Sequence, residues 1–384
     1  ADVAAFVQPG SAVDEEAWER GQTLYGPDRR TPLYPSQISE GGASLLPDVD
    51  RPAQGWEIDL DRDGEVVGGH VARAMVRSRA QLSYEEAQEQ IDQATGSETL
   101  RLLAEVGRLR EMQEVSRDAV TLDTPEQQIV ERPGGWALRY RAPLPVEGWN
   151  AQISILTGIF AAGLMVDAGR GMLRTLPPSP PERIKRLRRV ARGLRIAWPE
   201  HLGYPDLIRS LNARIPAHAA FLAEATGLFT GAGYQVLEDG ETPRPHSALA
   251  TIYSHVTAPL RRLADRYVGE TCLAICEDRP LPEWVRTSLP ALPEVMARSA
   301  SLAGRYEAEC VNLVEAALLS GRIGEVFAGI VIEVDRGKPT GDVQLHDPAV
   351  LARVTGEDLD LGEELMVRLT DVSVEQRRVE FSQT

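Results

Sequence analysis

Residues 254–270 read SHVTAPLRRLADRYVGE, and the two arginines at 261 and 262 pose the question from which the fold is worked out. Thr257 is placed to cap the first turn of a helix, and Pro259 sits where its missing N–H costs nothing. Leu260, Leu263, Ala264 and Tyr267 then recur at helical spacing and predict a buried face. On this reading Arg261 and Arg262 lie in the first turn, at the positive end of the helix macrodipole, a mildly unfavourable place for a guanidinium. Either an anionic group sits nearby, or Arg261 pairs with Asp265 one turn on, as helix surfaces often arrange.

The rest of the chain bounds the answer. Its 384 residues suffice for more than one domain, and 43% hydrophobic with 26% charged residues describes a globular composition. No apolar run approaches the length of a membrane span, and the opening ADVAAFVQPG has no basic segment ahead of its apolar residues. A cytoplasmic protein without a signal peptide is expected, and three cysteines, Cys272, Cys276 and Cys310, fit a reducing compartment. Cys272 and Cys276 read as buried small hydrophobes, with no pattern for zinc. The net charge of −16 argues against a protein that coats nucleic acid with a basic exterior, though not against a locally cationic channel.

Along the chain, ADVAAFV reads as a strand with no turn or cap before it, which predicts that sequence upstream completes its sheet. A short helix follows in SAVDEEAWER, then a Pro/Gly/Ser loop over 31–47. The segment 55–78 predicts a hairpin about Asp63-Gly64. Asp59, Asp61, Asp63 and Gly64 imitate the start of a calcium loop, but its twelfth position is His70 and the flanks alternate as strands do, so an acidic turn is expected. Residues 85–116 predict a helical region broken near Gly96, followed by strands about GGWALRYRA and the apolar helix NAQISILTGIFAAGLMVDAG. The basic run RIKRLRRVARGLR puts Ile184, Leu187, Val190, Ala191 and Leu194 on one face and charge elsewhere, the pattern of a solvated helix. Helices then continue to a final pair over 284–298 and 299–318. Beyond Gly321, short alternating strands split by Gly and Asp turns predict a five-stranded barrel.

Taken in order, ADVAAFVQPGSAVDEEAWERGQTLYGPDRRTPLYPSQISEGGASLLP, VRSRAQLSYEEAQ, YSHVTAPLRRLADR and AECVNLVEAALL resemble the RNB catalytic domain of the ribonuclease II and ribonuclease R exoribonucleases, with a ribosomal-S1-like OB fold behind it. The resemblance covers essentially the whole chain. It implies an α+β RNB domain over 1–320, with helices and a mixed sheet around an RNA channel, and a five-stranded OB-fold barrel over 321–384. It implies a hydrolytic 3′→5′ exoribonuclease that degrades single-stranded RNA to nucleoside 5′-monophosphates with magnesium, with no DNA or membrane partner. Arg261 matches the family's catalytic arginine at the scissile phosphate, which makes RNA the anion near the helix start, and Arg262 is carried with it as an RNA contact. Tyr25 matches the tyrosine that stacks on the 3′-terminal base, Glu307 a glutamate that positions the terminal nucleotide, and Tyr84 a tyrosine near the ribose.

Departures from the family pattern bear on this expectation. The family's metal-binding aspartates belong to a loop just upstream of the strand matched by ADVAAFV, so the ligands are unknown here, and Asp2 alone does not make a two-metal site. Leu122 stands near the phenylalanine opposite the clamp tyrosine, Ile155 and Leu156 replace a glutamate pair, and Ala43 replaces a cysteine. Losing an aromatic partner weakens base stacking by roughly 1–3 kcal/mol. Two other readings stay open: a catalytically degenerate protein that binds 3′ ends without cleavage, and an adaptor that merely contains an OB fold.

Overall fold

A computed structural model describes the chain apart from residues 123–125, 133–134, 142, 213–214, 239, 336 and 346. In chain order the elements are α1 (Ala12–Arg20), β1 (Leu24–Tyr25), β2 (Arg30–Thr31), β3 (Asp50–Leu60), β4 (Val66–Arg77), α2 (Tyr84–Asp92), α3 (Glu98–Ser116), β5 (Glu126–Arg132) and β6 (Gly135–Arg141). Next come α4 (Pro145–Asp167), β7 (Gly171–Thr175), α5 (Pro181–Gly193), α6 (Tyr204–Ser210), α7 (Pro216–Ala225), β8 (Gly233–Leu237) and α8 (Leu263–Cys276). The chain ends with α9 (Glu283–Ser288), α10 (Leu292–Leu319), β9 (Val326–Val334), β10 (Thr340–Leu345), β11 (Leu351–Thr355), β12 (Glu364–Ser373) and β13 (Arg378–Gln383).

The centre of the part that precedes the C-terminal barrel is α8. Residues Leu263 to Ala274 are all buried, its apolar side chains among those of α4, β7, α9 and the start of α10. A helix enclosed on every side must neutralise its polar residues internally. Arg266 does so by donating to Asp14 of α1 at 2.5 Å and to the Val7 carbonyl at 2.7 Å, while its guanidinium lies 4.8 Å from the Trp284 ring centre. Glu270 is paired with Arg73 of β4, whose Nε donates to Asp2 at 2.8 Å.

The opening segment departs from the expected strand. Val3–Ala5 form a 3-10 turn, and the Val7 N–H donates to the Val3 carbonyl. Val3 and Val7 are four apart, so one helical turn buries both. A second departure concerns the C-terminal helices: α10 is one helix of 28 residues with no break near 298. Ser299, which invites a break on propensity, is buried and returns its hydroxyl to the Met296 carbonyl at 3.1 Å, remaining inside the helix. Helix α4 is long and apolar enough by composition to cross a membrane, contrary to the expectation that no such run exists. It packs on α3, α8 and β7, with Trp149, Leu156, Ala161, Ala162 and Met165 buried.

Elsewhere the expected elements are present. The β3–β4 hairpin turns through Asp61, whose Oδ1 accepts the N–H groups of Asp63 and Glu65, both at 2.9 Å. That spends the carboxylate on its own turn. The break between α2 and α3 falls at 93–97, and α5 buries Leu187, Val190 and Ala191. Its arginines are mostly tied to protein: Arg183 to the Gly227 carbonyl, Arg186 to Glu224 and Glu333, Arg188 over the Trp198 ring at 4.4 Å.

The C-terminal strands close into a barrel in the order β10-β11-β13-β12-β9, with β11 and β13 parallel. Phe327 and Phe381 are buried in its core as an edge-on pair 5.8 Å apart. Ile330 and Ile332 of β9 face outward into the cluster of Leu187, Val190, Phe221 and Leu222 on α5 and α7. Ala316 and Leu319 of α10 join the barrel's own core, whereas Leu292, Val295 and Met296 of the same helix belong to the α8 core.

The segment before α8 is wedged between α4 and β7. The Ser254 N–H donates to the Gly158 carbonyl at 3.1 Å, its hydroxyl to Met172 at 2.7 Å, and the Arg174 N–H to Tyr253 at 2.7 Å. His255 shares a 2.8 Å hydrogen bond with the Tyr234 hydroxyl, its ring edge-on to Tyr234 and Tyr253. Burial, with Arg262 and Arg174 adding to it, depresses its pKa to about 2, and burial beside Arg174 takes that of His246 to about 4.

Two outcomes follow from this wedge. Gly158→Ala should destabilise the fold by about 1–3 kcal/mol, although alanine is the better helix former, because a Cβ there runs into the Tyr253 ring and the Ser254 carbonyl. An unchanged denaturation midpoint would refute the close packing of α4 on this segment. The unfolded chain protonates His255 near the ordinary value of about 6.5, and the folded chain only near 2. Stability is therefore full above the unfolded value and declines as pH falls below it, by about 2 kcal/mol between pH 7 and pH 5. Urea melts across that range should show the decline, to which His246 adds a similar amount, so His255→Gln should remove about half of it.

Candidate nucleic-acid cleft

The turn carrying the two arginines is built differently from a helix start. Helix α8 begins at Leu263, with Arg262 in extended conformation as its cap residue, and Thr257 makes no capping bond. Residues 258–262 form a separate turn in which the N–H groups of Arg261 and Arg262 both donate to the Ala258 carbonyl at 3.0 Å. Pro259 sits inside that turn, not in the helix. The arginines therefore precede the macrodipole, and the position that meets its positive end is Asp265 in the first turn, a favourable one for a carboxylate.

Asp265 pairs with Arg262, not with Arg261. Its Oδ2 accepts from Arg262 Nε and its Oδ1 from Arg262 Nη2, both at 2.9 Å, and Oδ1 also accepts the Ala258 N–H at 2.7 Å. Asp265 is fully enclosed and Arg262 mostly so; the pair raises the arginine pKa against the burial that opposes it. One carboxylate thus pins both ends of the turn. The Arg261 guanidinium is exposed and makes no hydrogen bond or ion pair with any described residue.

Backbone pairing brings Tyr25 to the same place. The N–H of Thr23 donates to the Arg261 carbonyl at 3.0 Å, and that of Leu263 to Gly21 at 2.9 Å. Gly21 ends α1 with φ +67, and a Cβ there would lie 2.7 Å from Ser299, so this reversal needs glycine. Two residues beyond Thr23, Tyr25 pairs with Arg30 across the β1–β2 register, and the residue is 54% exposed. Tyr25, Arg261, Arg30, Glu40 and Leu45 together line a cleft of about 310 Å³.

The other expected residues lie outside that lining. Glu307 is exposed on α10 beside Tyr306, whose hydroxyl would stand 2.6 Å from a Cβ at Gly26, so its helix abuts the Tyr25 hairpin. Tyr84 opens α2 behind the cap Ser83, and its hydroxyl accepts from Asn150 of α4 at 3.1 Å. Leu122 packs against the α5–α7 cluster, Leu156 is buried, Ile155 half-buried, and Ala43 fully enclosed. Arg30, Glu40 and the Asp265 clamp were not picked out from the sequence as cleft residues. Asp265 stands at i+3 from Arg262 and at i+4 from Arg261, so its spacing signals a partner without saying which.

A divalent-metal site does not follow from these side chains. Among the described residues no three His, Cys, Asp or Glu groups converge. Asp2 is buried with one oxygen on Arg73 and the other without a hydrogen-bond partner, and Glu40 in the cleft is held by Arg30. Two-metal hydrolysis needs several convergent carboxylates, which this set lacks.

Residues 1–275 match the RNB domain family, and residues 325–384 match the RNase II-type exonuclease C-terminal S1 domain. The chain is 26% identical to Aquifex aeolicus ribonuclease R over 434 aligned positions, covering 99% of this chain and 59% of that protein. Mycoplasma genitalium RNase R, solved with ribose-methylated single-stranded RNA, superposes with a TM-score of 0.89 at 17% identity, covering 100% of this chain and 66% of that one. The yeast pseudonuclease Ssd1 shares the fold at a TM-score of 0.74 and 18% identity, over 92% of this chain and 45% of its own. With the α8 core, the Tyr25–Arg261 cleft and the closed barrel behind them, the chain belongs to the RNB ribonuclease family and carries that family's S1-type domain at its C-terminus.

Proposed function

We propose that this chain forms the strand-gripping body of a 3′→5′ exoribonuclease that acts on single-stranded RNA and releases nucleoside 5′-monophosphates. The observation that carries the reading is the shared cleft of Tyr25 and Arg261: an exposed aromatic ring and a guanidinium without a protein partner among the described residues, about 310 Å³ between them. A base face stacks on a phenol ring whatever its sequence, and a guanidinium grips two phosphate oxygens at once. In the reaction Arg261 would hold the scissile phosphate and stabilise the charge that builds there. Arg262 would support it through Asp265, and the family resemblance would assign Tyr84 to the ribose and Glu307 to the terminal nucleotide, although both lie outside the Tyr25–Arg261 lining. On this reading residues 1–320 are the catalytic unit and 321–384 the RNA-binding barrel, in keeping with the family matches over 1–275 and 325–384. Magnesium belongs to this reading only where further carboxylates join the cleft, and the cytoplasm is its compartment.

A second reading, an RNA-binding relative without catalysis, is favoured by three features. Asp2 is neutralised by Arg73, Leu156 is buried where the family pattern has glutamate, and Leu122 is packed into the core where it has an aromatic ring. The two readings separate on one assay. The longest natural chain containing this sequence, given magnesium and 5′-labelled unstructured RNA, should release mononucleotides; binding with the RNA left at full length would support the second reading. In the first case Arg261→Ala should lower turnover by about 10²–10³-fold, with a far smaller loss of binding. Undiminished turnover would remove Arg261 from the reaction.

A further inference from the structure

Besides Arg261, the cleft contains a second guanidinium whose partner is replaceable. Arg30 of β2 donates through Nε at 2.9 Å and approaches through Nη2 at 2.7 Å the same oxygen, Oε1, of Glu40. Both side chains are about half exposed, at 53% and 42%, and both line the cleft with Tyr25 and Arg261. Exposed ion pairs of this kind add little to stability, so exchange of one anion for another is inexpensive. Two of the cleft hydroxyls are committed: Thr23 Oγ1 accepts the Leu33 N–H, and Ser39 Oγ donates to the carbonyls of Tyr34 and Pro35. Arg30 is also fixed in register, directly across the β1–β2 ladder from Tyr25. A nucleotide stacked on Tyr25 would therefore lie in the cleft that Arg261 and Arg30 both line.

We propose that Arg30 is a second phosphodiester contact of the cleft and that Glu40 is a built-in competitor, a carboxylate that rests on Arg30 until an RNA phosphate displaces it. The inference rests on the RNA reading of the Tyr25–Arg261 cleft. It makes Glu40 a selectivity device: a ligand must offer an anion at the Arg30 position to pass it, which an apolar or neutral ligand stacked on Tyr25 does not. The chemistry is an exchange of ion pairs, with no covalent step.

The test is fluorescence anisotropy with a labelled 12-nucleotide oligoadenylate RNA, titrated at several salt concentrations against the wild-type chain and Arg30→Ala, Glu40→Gln, the double variant and Arg261→Ala, with thermal melts confirming that each folds. Glu40→Gln should tighten binding by about 3–10-fold. Arg30→Ala should weaken it and reduce the slope of log K against log salt by about 0.7, the value for one phosphate on a single strand. In the Arg30→Ala background the effect of Glu40→Gln should vanish, because the carboxylate then has nothing to block. Equal tightening in both backgrounds would overturn the proposal, since Glu40 would then act as a general repulsive charge, and so would an unchanged salt slope in Arg30→Ala. A response to Arg261→Ala without any response at Arg30 or Glu40 sinks this inference and leaves the RNA reading standing. No RNA binding by the wild type sinks both.

Discussion

A single carboxylate, Asp265, fixes the turn on which the cleft depends. It accepts three hydrogen bonds, two from the Arg262 guanidinium and one from the Ala258 N–H, while sitting at the N-terminal end of α8. Charge-assisted bonds to a planar fork are directional, so Arg262 has one orientation available. Its neighbour Arg261 must then project the other way, and the pairing of Thr23 with the Arg261 carbonyl directs that way into the cleft. Removing Asp265 would leave Arg262 charged, mostly buried and unpaired, a loss of about 3–5 kcal/mol for pairs of this kind. The freedom of Arg261 is thus a product of its neighbour's confinement.

The same logic repeats outward. Arg266 joins α8 to α1 through Asp14 and to the opening turn through the Val7 carbonyl, and Glu270 joins α8 to β4 through Arg73 and then to Asp2. Each pair is costly to break because the survivor stays charged in a dry place. Together they hold residues 1–25, which carry Tyr25, against the helix that carries the arginine turn. The aromatic side of the cleft and its cationic side are therefore registered through α8. His255 and Tyr234 back the turn with a neutral hydrogen bond, the form that burial beside two arginines imposes on the imidazole.

Much of this was legible where a local period sets the outcome. The alternation beyond Gly321 yields the barrel, the turn at Asp63-Gly64 yields the hairpin, and the spacing of Leu187, Val190 and Ala191 yields the buried stripe of α5. Local rules failed where a distant group decides. Thr257 offers an adequate cap, yet a buried carboxylate later in the chain captured the turn instead, because enclosing Arg262 required a counter-charge. Nothing in the spacing ranks Asp265 with Arg262 over Asp265 with Arg261, since both separations suit a helix; burial makes the choice. The opening strand was misjudged for the opposite reason: Val3, Ala5 and Val7 alternate, but only Val3 and Val7 are buried, which one helical turn also satisfies. Arg30 and Glu40 carry no local signal, being brought together by the helical turn over Gln37–Gly42 that follows β2.

The barrel's place in the molecule follows from what its side chains are already doing. Phe327 and Phe381 fill its interior, and Ile330 and Ile332 on its outer face are sealed against α5 and α7. No phenylalanine of the barrel is left to stack a base, so any grip it exerts on RNA must come from charge. That grip is salt-dependent and insensitive to sequence. Helix α10 meanwhile has one end in the α8 core and the other in the barrel core, with no break between them. On the proposed reading, a strand held electrostatically at the barrel and stacked at Tyr25 would be held at two points of one continuous scaffold. On the proposed reading, selectivity for unpaired ends would reside in the cleft that Tyr25, Arg30 and Arg261 line together.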